Sequence, residues 1–244
     1  ITASVLGMHV GSTFVSAMHA PDVFINAPVS AAAWVIALIG IVIALKGARN
    51  QLDERTAPMA GLVAVFIFAA QMINFPVAAG TSGHLLGGAL AVILVGPYAG
   101  ALAVTVVVIV QALLFADGGL TALGINIINM AFVTAIVGWF VFRAVVRLAG
   151  GSKPAVMAGA FLAAFISVPA SALAFVAEYA IGGSGAIDLG AVLGAMVGVH
   201  LLIGLGEGII TALVVSAVYL ARPDLVFGVR DRLPKPVLKT AEVK

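Results

Sequence analysis

Long uninterrupted apolar runs are the feature of this sequence that most constrains its fold. A bilayer core is about 30 Å thick, and a helix needs roughly 20 apolar residues to cross it. Only 9% of the 244 residues are charged, whereas an ordinary soluble domain is about a quarter charged. The sequence therefore predicts an all-α integral membrane protein with about seven transmembrane helices. The predicted segments are residues 28–45, 58–76, 84–96, 98–116, 120–142, 154–177 and 189–221.

The third segment is too short to span a bilayer as a straight helix. At 1.5 Å rise per residue it covers only about 20 Å. It is therefore expected to be tilted, re-entrant, or continuous with the fourth segment and broken near Gly96-Pro97. Irregular backbone at membrane depth is tolerated where it lines a cavity within the protein. This region is consequently a candidate site.

The basic residues predict the orientation, because Lys and Arg near helix ends stay on the cytoplasmic side. All 12 follow the first, fifth or seventh segment, and the opposite loops carry only acidic residues. The N-terminus is thus expected outside, and residues 222–244 are expected to form a basic, solvated cytoplasmic tail. No nucleic-acid surface is expected, since the basic residues are not grouped with aromatic side chains. The acidic residues assigned to the outer loops are Asp22, Asp117, Glu178 and Asp188.

Residues 1–17 are interpreted as the remnant of a signal peptide. Val15-Ser16-Ala17 has the small residues at alternate positions that a signal peptidase site requires. Cleavage there would make Met18-His19 the mature N-terminus. The segment lacks a basic n-region, so three interpretations remain: a partial precursor, which we favour, an uncleaved peptide, or a short additional helix at the outer face. Residues 18–221 would form the membrane domain.

The histidines suggest a metal site built from nitrogen, because the chain has no cysteine and only four histidines. If Met18 carries a free amine, that amine, the His19 amide nitrogen and the His19 imidazole can close two chelate rings around one ion. His84 would supply a fourth nitrogen from the outer start of the third segment. A near-planar set of four nitrogens favours Ni(II), Cu(II) or some Co(II) sites, whereas Zn(II) prefers a tetrahedron. Binding is expected to weaken as pH falls, because the ligating nitrogens must be deprotonated.

His84 also has an ordinary structural interpretation, since a lone histidine at a helix start is more often a capping or interface residue. The glycines around it in residues 81–88 (TSGHLLGG) favour the metal site. They let backbone approach closely, which a structural histidine would not need. Ser82 is a candidate for supporting that site.

His200 and Glu207 need an explanation because ionisable groups within a membrane cost a few kcal/mol unless they are paired or functional. They share one face of the last predicted helix with Gly204 and Thr211. We interpret this face as an interior stripe whose polar groups pair within the bundle. Direct metal contact or an ion path are the alternatives.

Three further polar residues lie near the outer end of the fifth segment. Asp117 opens an Asp-Gly-Gly turn, and Asn126 and Asn129 follow within the segment. The two amides are expected to bond between helices, with support of the metal site as the alternative.

Motifs for nucleotide hydrolysis and for hydrolase chemistry are missing from the sequence. No G-x-x-x-x-G-K-[ST] occurs, and neither H-E-x-x-H nor G-x-S-x-G is present. The chain is therefore predicted to lack an ATPase motif of its own and not to be an enzyme.

At these residues the chain resembles the CbiM/NikM family, the substrate-binding S components of energy-coupling-factor transporters for cobalt and nickel. The resemblance covers roughly residues 18–220. Residues 18–24 (MHAPDVF) are similar to the family start Met-His-Ile-Pro-Asp-Gly-Phe, with Ala20 and Val23 as departures. Residues 83–88 (GHLLGG) match a family stretch in full, and residues 115–124 (FADGGLTALG) resemble its next signature.

The resemblance implies that Met18, His19 and His84 bind the ion, with the N-terminal segment plugged into the centre of a helical bundle. It implies capture of Co(II) or Ni(II), without any resident cofactor, at the outer face of a bacterial inner membrane. The implied partners are a membrane coupling (T) subunit, two cytoplasmic ATPase subunits that drive release, and a small accessory membrane protein. The residues do not separate cobalt from nickel, and we favour cobalt. The alternatives are a proton-coupled secondary transporter using His200 and Glu207, and a membrane scaffold or enzyme that needs no ion.

Overall fold

The structure is a computed structural model that describes residues 19–54, 56–73, 75–78, 81–184 and 187–232. For residues 75–78 and 81–83 only the backbone is described. Met18 and the interpretation of residues 1–17 as a signal-peptide remnant lie outside these ranges.

Each predicted segment coincides with a helix in the described part of the chain. The second one ends at Gln71, earlier than predicted, and two short antiparallel strands follow, β1 (Phe75–Ala78) and β2 (Thr81–Gly83). The sequence did not predict this hairpin. The helices are α1 (Ala27–Ala48), α2 (Thr56–Gln71), α3 (Gly88–Val95), α4 (Pro97–Leu114), α5 (Leu123–Leu148), α6 (Lys153–Gly182) and α7 (Leu189–Ala221).

Five of these helices, α1, α4, α5, α6 and α7, are long and apolar enough to cross a membrane. Helix α2 has 16 residues and α3 has 8, so neither reaches the length of a full span. The helical architecture is thereby confirmed, with five candidate membrane spans and one short hairpin. The count of seven spans and the orientation of the termini remain predictions.

Helix α3 lies inside the bundle, and all eight of its residues are buried. It contacts α2, α4, α5, α6 and α7. Gly96 separates it from α4 with φ of +93°, a conformation that glycine adopts without steric cost. The predicted break at Gly96-Pro97 is therefore confirmed, and it lets this short helix end within the protein rather than at its surface.

Small residues set the distance between α1 and the rest of the bundle. The buried face of α1 consists of Ser30, Ala33, Ala37, Ala44 and Ala48. A Cβ on Gly124 of α5 would lie only 2.6 Å from the Trp34 amide nitrogen, so glycine is required for this contact. The large apolar side chains of α1, such as Ile36 and Ile39, are exposed. That outer face suits contact with lipid.

The segment after α7 is folded rather than solvated over residues 223–232. It forms the 3-10 turns Pro223–Leu225 and Phe227–Arg232, which bury Val226 and Val229. The expectation of a solvated tail is wrong for these residues, because apolar side chains lie between the charged ones. Residues 233–244 lie outside the described ranges.

Arg143 of α5 holds this segment in place. Its guanidinium donates two hydrogen bonds to the Asp231 carboxylate, at 2.9 and 2.6 Å, and one to the Gly228 carbonyl at 3.0 Å. The hydrogen bonds from Arg143 keep the pKa of Asp231 below its ordinary value. Arg230 donates to the Thr56 hydroxyl at the start of α2. Charged side chains therefore bond this segment to the last turns of α5 and to the start of α2.

Candidate metal centre

Two histidines from distant parts of the sequence meet in the interior. His19 precedes α1 and His84 precedes α3, and their ring centroids are 5.0 Å apart with the planes tilted by 47°. His19 is 5% exposed and His84 is 7% exposed. Imidazoles this close can ligate the same ion, so the structure brings together two of the three predicted ligands. The third, Met18, lies outside the described residues.

The ring nitrogens of these histidines are in different environments. His84 Nδ1 lies 2.8 Å from the Leu85 carbonyl oxygen, which fits a protonated Nδ1 and assigns the ligating lone pair to Nε2. His19 Nδ1 lies 3.0 Å from Asp117 Oδ1 without hydrogen-bond alignment, and His19 Nε2 has no hydrogen-bond partner among the residues that the structure describes. A buried polar group left without a partner costs about 1–3 kcal/mol. A metal ion bound here would offset that cost.

Asn126 holds the backbone that follows His19. Its Oδ1 accepts from the Ala20 amide at 3.1 Å, and its Nδ2 donates to the Ala20 carbonyl at 3.3 Å. The same carbonyl accepts from the Gly119 amide at 2.9 Å. Asn126 therefore supports the segment that carries His19, and the expectation that its amide bonds between helices is wrong. The Asn126 side chain of α5 points to the segment that precedes α1, so its bonds go to that segment and not to another helix.

Asp22 makes a second attachment of the N-terminal segment. Its Oδ1 accepts from the Thr121 hydroxyl at 2.6 Å and from the Thr121 amide at 2.7 Å. These bonds, the hydroxyl first, keep the pKa of Asp22 below its ordinary value. Sequence reasoning did not single out Thr121, although it lies within the FADGGLTALG run. The only available signal was a hydroxyl shortly after the glycine turn.

Val23 retains the backbone conformation that a glycine would favour. Its φ is +60°, in the left-handed region that a β-branched residue rarely adopts. The Ser184 hydroxyl donates to the Val23 carbonyl, and the Ser184 amide donates to the Phe24 carbonyl at 3.1 Å. The departure from the family glycine therefore leaves the turn in place, held by bonds from the end of α6.

Gly118 and Gly119 allow the N-terminal segment to lie directly on the loop before α5. A Cβ on Gly118 would be 2.7 Å from the His19 Cβ, and one on Gly119 would be 2.7 Å from the Asp22 Cα. Gly118 has φ of +92°. Asp117, expected in an outer turn, is buried next to His19. These glycines are required for close contact between the two segments.

Replacing Gly119 with valine is expected to weaken Co(II) binding about tenfold, in the range of losses caused by disturbing groups that orient ligands. The side chain would collide with Asp22 and move His19 away from His84. Isothermal titration of the purified variant measures the change. Gly61→Val on α2, where a Cβ would have no neighbour within 4 Å, is the matched control. Unchanged affinity in Gly119→Val would contradict this account of the loop.

The backbone after His84 is held from two sides. The Glu207 carboxylate of α7 accepts from the Leu86 amide at 2.7 Å and from the Gly87 amide at 2.9 Å. Gln71 of α2 donates to the Leu86 carbonyl at 2.8 Å. Gln71 was not predicted, because one glutamine near a helix end carries no distinctive sequence signal. Ser82 pairs with Pro76 in the hairpin, and its side chain lies outside the description.

The polar face of α7 is largely interior, as predicted. Gly204, Glu207 and Thr211 are buried, and His200 is half-buried. Glu207 pairs with backbone amides, and His200 Nδ1 lies 2.7 Å from the Met196 carbonyl of its own helix. His200 also lines an open cavity of about 560 Å³ that His19 and His84 border.

Asn129 joins α5 to α6, as predicted. It lies in the π-helical stretch Ile128–Val133, and its Nδ2 donates to Glu178 Oε2 at 2.6 Å. Glu178 was assigned to an outer loop, which is wrong because α6 continues to Gly182. Asn129 also borders the cavity beside the two histidines.

Comparison with known proteins gives the family. The family model described as the cobalt uptake substrate-specific transmembrane region, CbiM, matches residues 19–225. The chain belongs to the CbiM family. The matched region contains His19, His84 and every helix of the bundle, and the resemblance drawn from the motifs is thereby confirmed.

Relatives within the family carry names that refer to nickel and cobalt. A protein of Archaeoglobus fulgidus, provisionally named a fused nickel transport protein NikMN, is 42% identical over 209 residues, which are 86% of this chain and 68% of that protein. The cobalt transport protein CbiM of Geobacter sulfurreducens is 35% identical over 186 residues, 73% of this chain and 53% of that protein. The crystal structure of a transition metal transporter superposes with a TM-score of 0.75 at 28% identity, covering 85% of this chain and 94% of the other.

Proposed function

We propose that this protein captures Co(II) or Ni(II) at the outer face of a bacterial cytoplasmic membrane, as the substrate-binding subunit of an energy-coupling-factor importer. The observation that carries the proposal is the meeting of the His19 and His84 imidazoles, 5.0 Å apart between centroids, at the edge of a cavity. The names of its relatives agree with such a cargo.

The ligand set combines these imidazoles with nitrogens from the chain terminus. In the described ranges, no group of three or more His, Asp or Glu side chains has the geometry to hold a metal. Further ligands would therefore be the Met18 amine and the His19 amide nitrogen. Nδ1 is the His19 nitrogen that can close a chelate ring with its own amide nitrogen, so ion binding would replace its contact with Asp117. Four nitrogens in this arrangement suit Ni(II) and some Co(II) sites.

The position of the site supports capture from outside. His19 lies just before α1 and His84 meets it there, whereas Arg230 of the C-terminal segment bonds Thr56 and lies 3.7 Å from Asp53, beyond the other end of α1. A helix of 22 residues separates the two ends by about 33 Å at 1.5 Å per residue. Since basic residues mark the cytoplasmic side, the histidines belong to the outer side.

Import would depend on partner subunits that hydrolyse ATP, because this chain carries no P-loop. Those partners would be a membrane coupling subunit and two ATPase subunits, with a small accessory membrane protein. Hydrolysis in them would reorient the bundle and release the ion inward.

Uptake by the reconstituted complex tests this role. Vesicles containing the complete transporter are expected to accumulate Co(II) with ATP, and to lose uptake when the partner ATPases carry an inactivating substitution. Co(II) binding by this subunit should remain the same in both preparations. Uptake that persists without ATP hydrolysis and collapses with a proton ionophore would instead support the proton-coupled alternative.

A further inference from the structure

Glu207 is a buried acidic group whose bonding resembles a clamp on the loop that carries His84. It lies in the middle of α7, with 2% of its surface exposed. Both carboxylate oxygens are used, one by the Leu86 amide and the other by the Gly87 amide. Its hydrogen-bond partners in the described part of the chain are thus backbone donors rather than a cation.

Packing alone does not explain a carboxyl group at this position. An acidic side chain within a membrane helix costs a few kcal/mol, and such residues are retained where they pair or function. A glutamine of the same size would offer one carbonyl oxygen and would turn an NH2 group toward one of the two amide donors. The carboxylate gives each amide its own oxygen and presents no donor to the loop, so the observed bonding suits glutamate better than glutamine.

The clamped backbone is short and closely linked to the metal ligand. Leu86 and Gly87 are the second and third residues after His84, and Gly87 adopts φ of +81° just before α3 begins. Gln71 of α2 holds the Leu86 carbonyl on the other side. The loop is therefore fixed between α2 and α7, and the direction of the His84 imidazole depends on where those two helices lie.

We propose that Glu207 is a positioning residue that couples the placement of α7 to metal binding at His84. This inference rests on the proposed function of the site. The two bonds measure 2.7 and 2.9 Å, and N–H···O bonds in proteins extend only to about 3.2 Å. A shift of α7 by about 1–2 Å, typical of helix displacements in conformational transitions, breaks both. The loop is then released from one side, and His84 no longer meets His19 in ligating geometry.

Hydrogen–deuterium exchange on Glu207→Gln, without metal and in lipid nanodiscs, tests the clamp. The Leu86 and Gly87 amides are expected to exchange at least about tenfold faster, consistent with loss of about 1.4 kcal/mol of local protection. Glu207→Asp keeps a carboxylate on a shorter side chain and should restore part of the protection. Thr211→Val, one turn away on the same buried face, is the control and should leave these amides unchanged. Unchanged exchange in Glu207→Gln would overturn the clamp.

Co(II) titration of the same preparations tests the coupling. The dissociation constant of Glu207→Gln is expected to rise about 10- to 100-fold, as for other groups that orient metal ligands. If that variant does not fold, Gln71→Leu opens the loop from the α2 side and should show the same two changes. Faster exchange with unchanged Co(II) affinity would overturn the coupling. Wild-type protein that binds no Co(II) would overturn the proposed function, while exchange measured without metal still decides the clamp.

Discussion

Replacing His84 with alanine is expected to raise the dissociation constants for Co(II) and Ni(II) by more than about 100-fold. Loss of a group that only orients a ligand costs about 10- to 100-fold, and loss of the ligand itself costs more. The remaining nitrogens all belong to the N-terminal segment, so nothing in the described loop replaces the imidazole. Equilibrium titration of the purified protein, followed by the visible absorption of bound Co(II), measures the loss.

His200→Ala is the matched control for this experiment. His200 borders the same cavity, but its Nδ1 is engaged by the Met196 carbonyl of its own helix. Its removal is expected to leave both affinities within about twofold, because no ligand is lost. Equal loss of binding in both variants would contradict the assignment of His84 and would favour a site deeper in the cavity.

Blocking the amine of Met18 is the second change with a large expected effect. A chain that starts at Met18 with a free amine should bind Ni(II) tightly, whereas the same chain with that amine acetylated should lose more than about 100-fold in affinity. Acetylation converts the amine into an amide without adding another amine, which removes one nitrogen of the planar set that suits this ion. Titration of the two preparations, each with its N-terminus verified by mass spectrometry, measures the difference.

Met18→Leu with a free amine separates the terminal nitrogen from the side chain. This variant is expected to bind like the wild type, since the thioether has no part in the proposed ligand set. N-terminal sequencing of protein from native membranes shows whether cleavage after Ala17 supplies the amine. A native chain that starts upstream of Met18 and binds Ni(II) equally well without His84 would contradict the proposed centre.

Several parts of the fold followed from local sequence alone. The apolar runs located all seven helices of the described part, because burial of a helix in lipid requires a continuous stretch of apolar residues. The break at Gly96-Pro97 was equally readable, since glycine and proline restrict the backbone in ways that hold in any environment. The five longest helices meet the length of a membrane span.

Other parts could not be read from local patterns. The segment 223–232 was expected to be solvated because it is rich in charge, yet Arg143 and Asp231 pair and let Val226 and Val229 become buried. Glu178 was placed in a loop because it is charged, whereas it lies within α6 and accepts a hydrogen bond from Asn129 of α5. In each case the partner is far away in the sequence, so composition around the residue predicted the wrong environment.

The candidate site shows the same division. By itself the sequence determined the membrane class, the helical segments and the histidines worth considering, because hydrophobic length and ligand chemistry are properties of short stretches of chain. Only the tertiary structure decided that His19 and His84 lie together, that Asn126 and Asp22 attach the N-terminal segment, and that Glu207 bonds the loop after His84. These contacts join residues from separate helices and loops. Their formation depends on how closely the bundle packs at Gly119 and Gly124, and a one-dimensional pattern does not contain that distance.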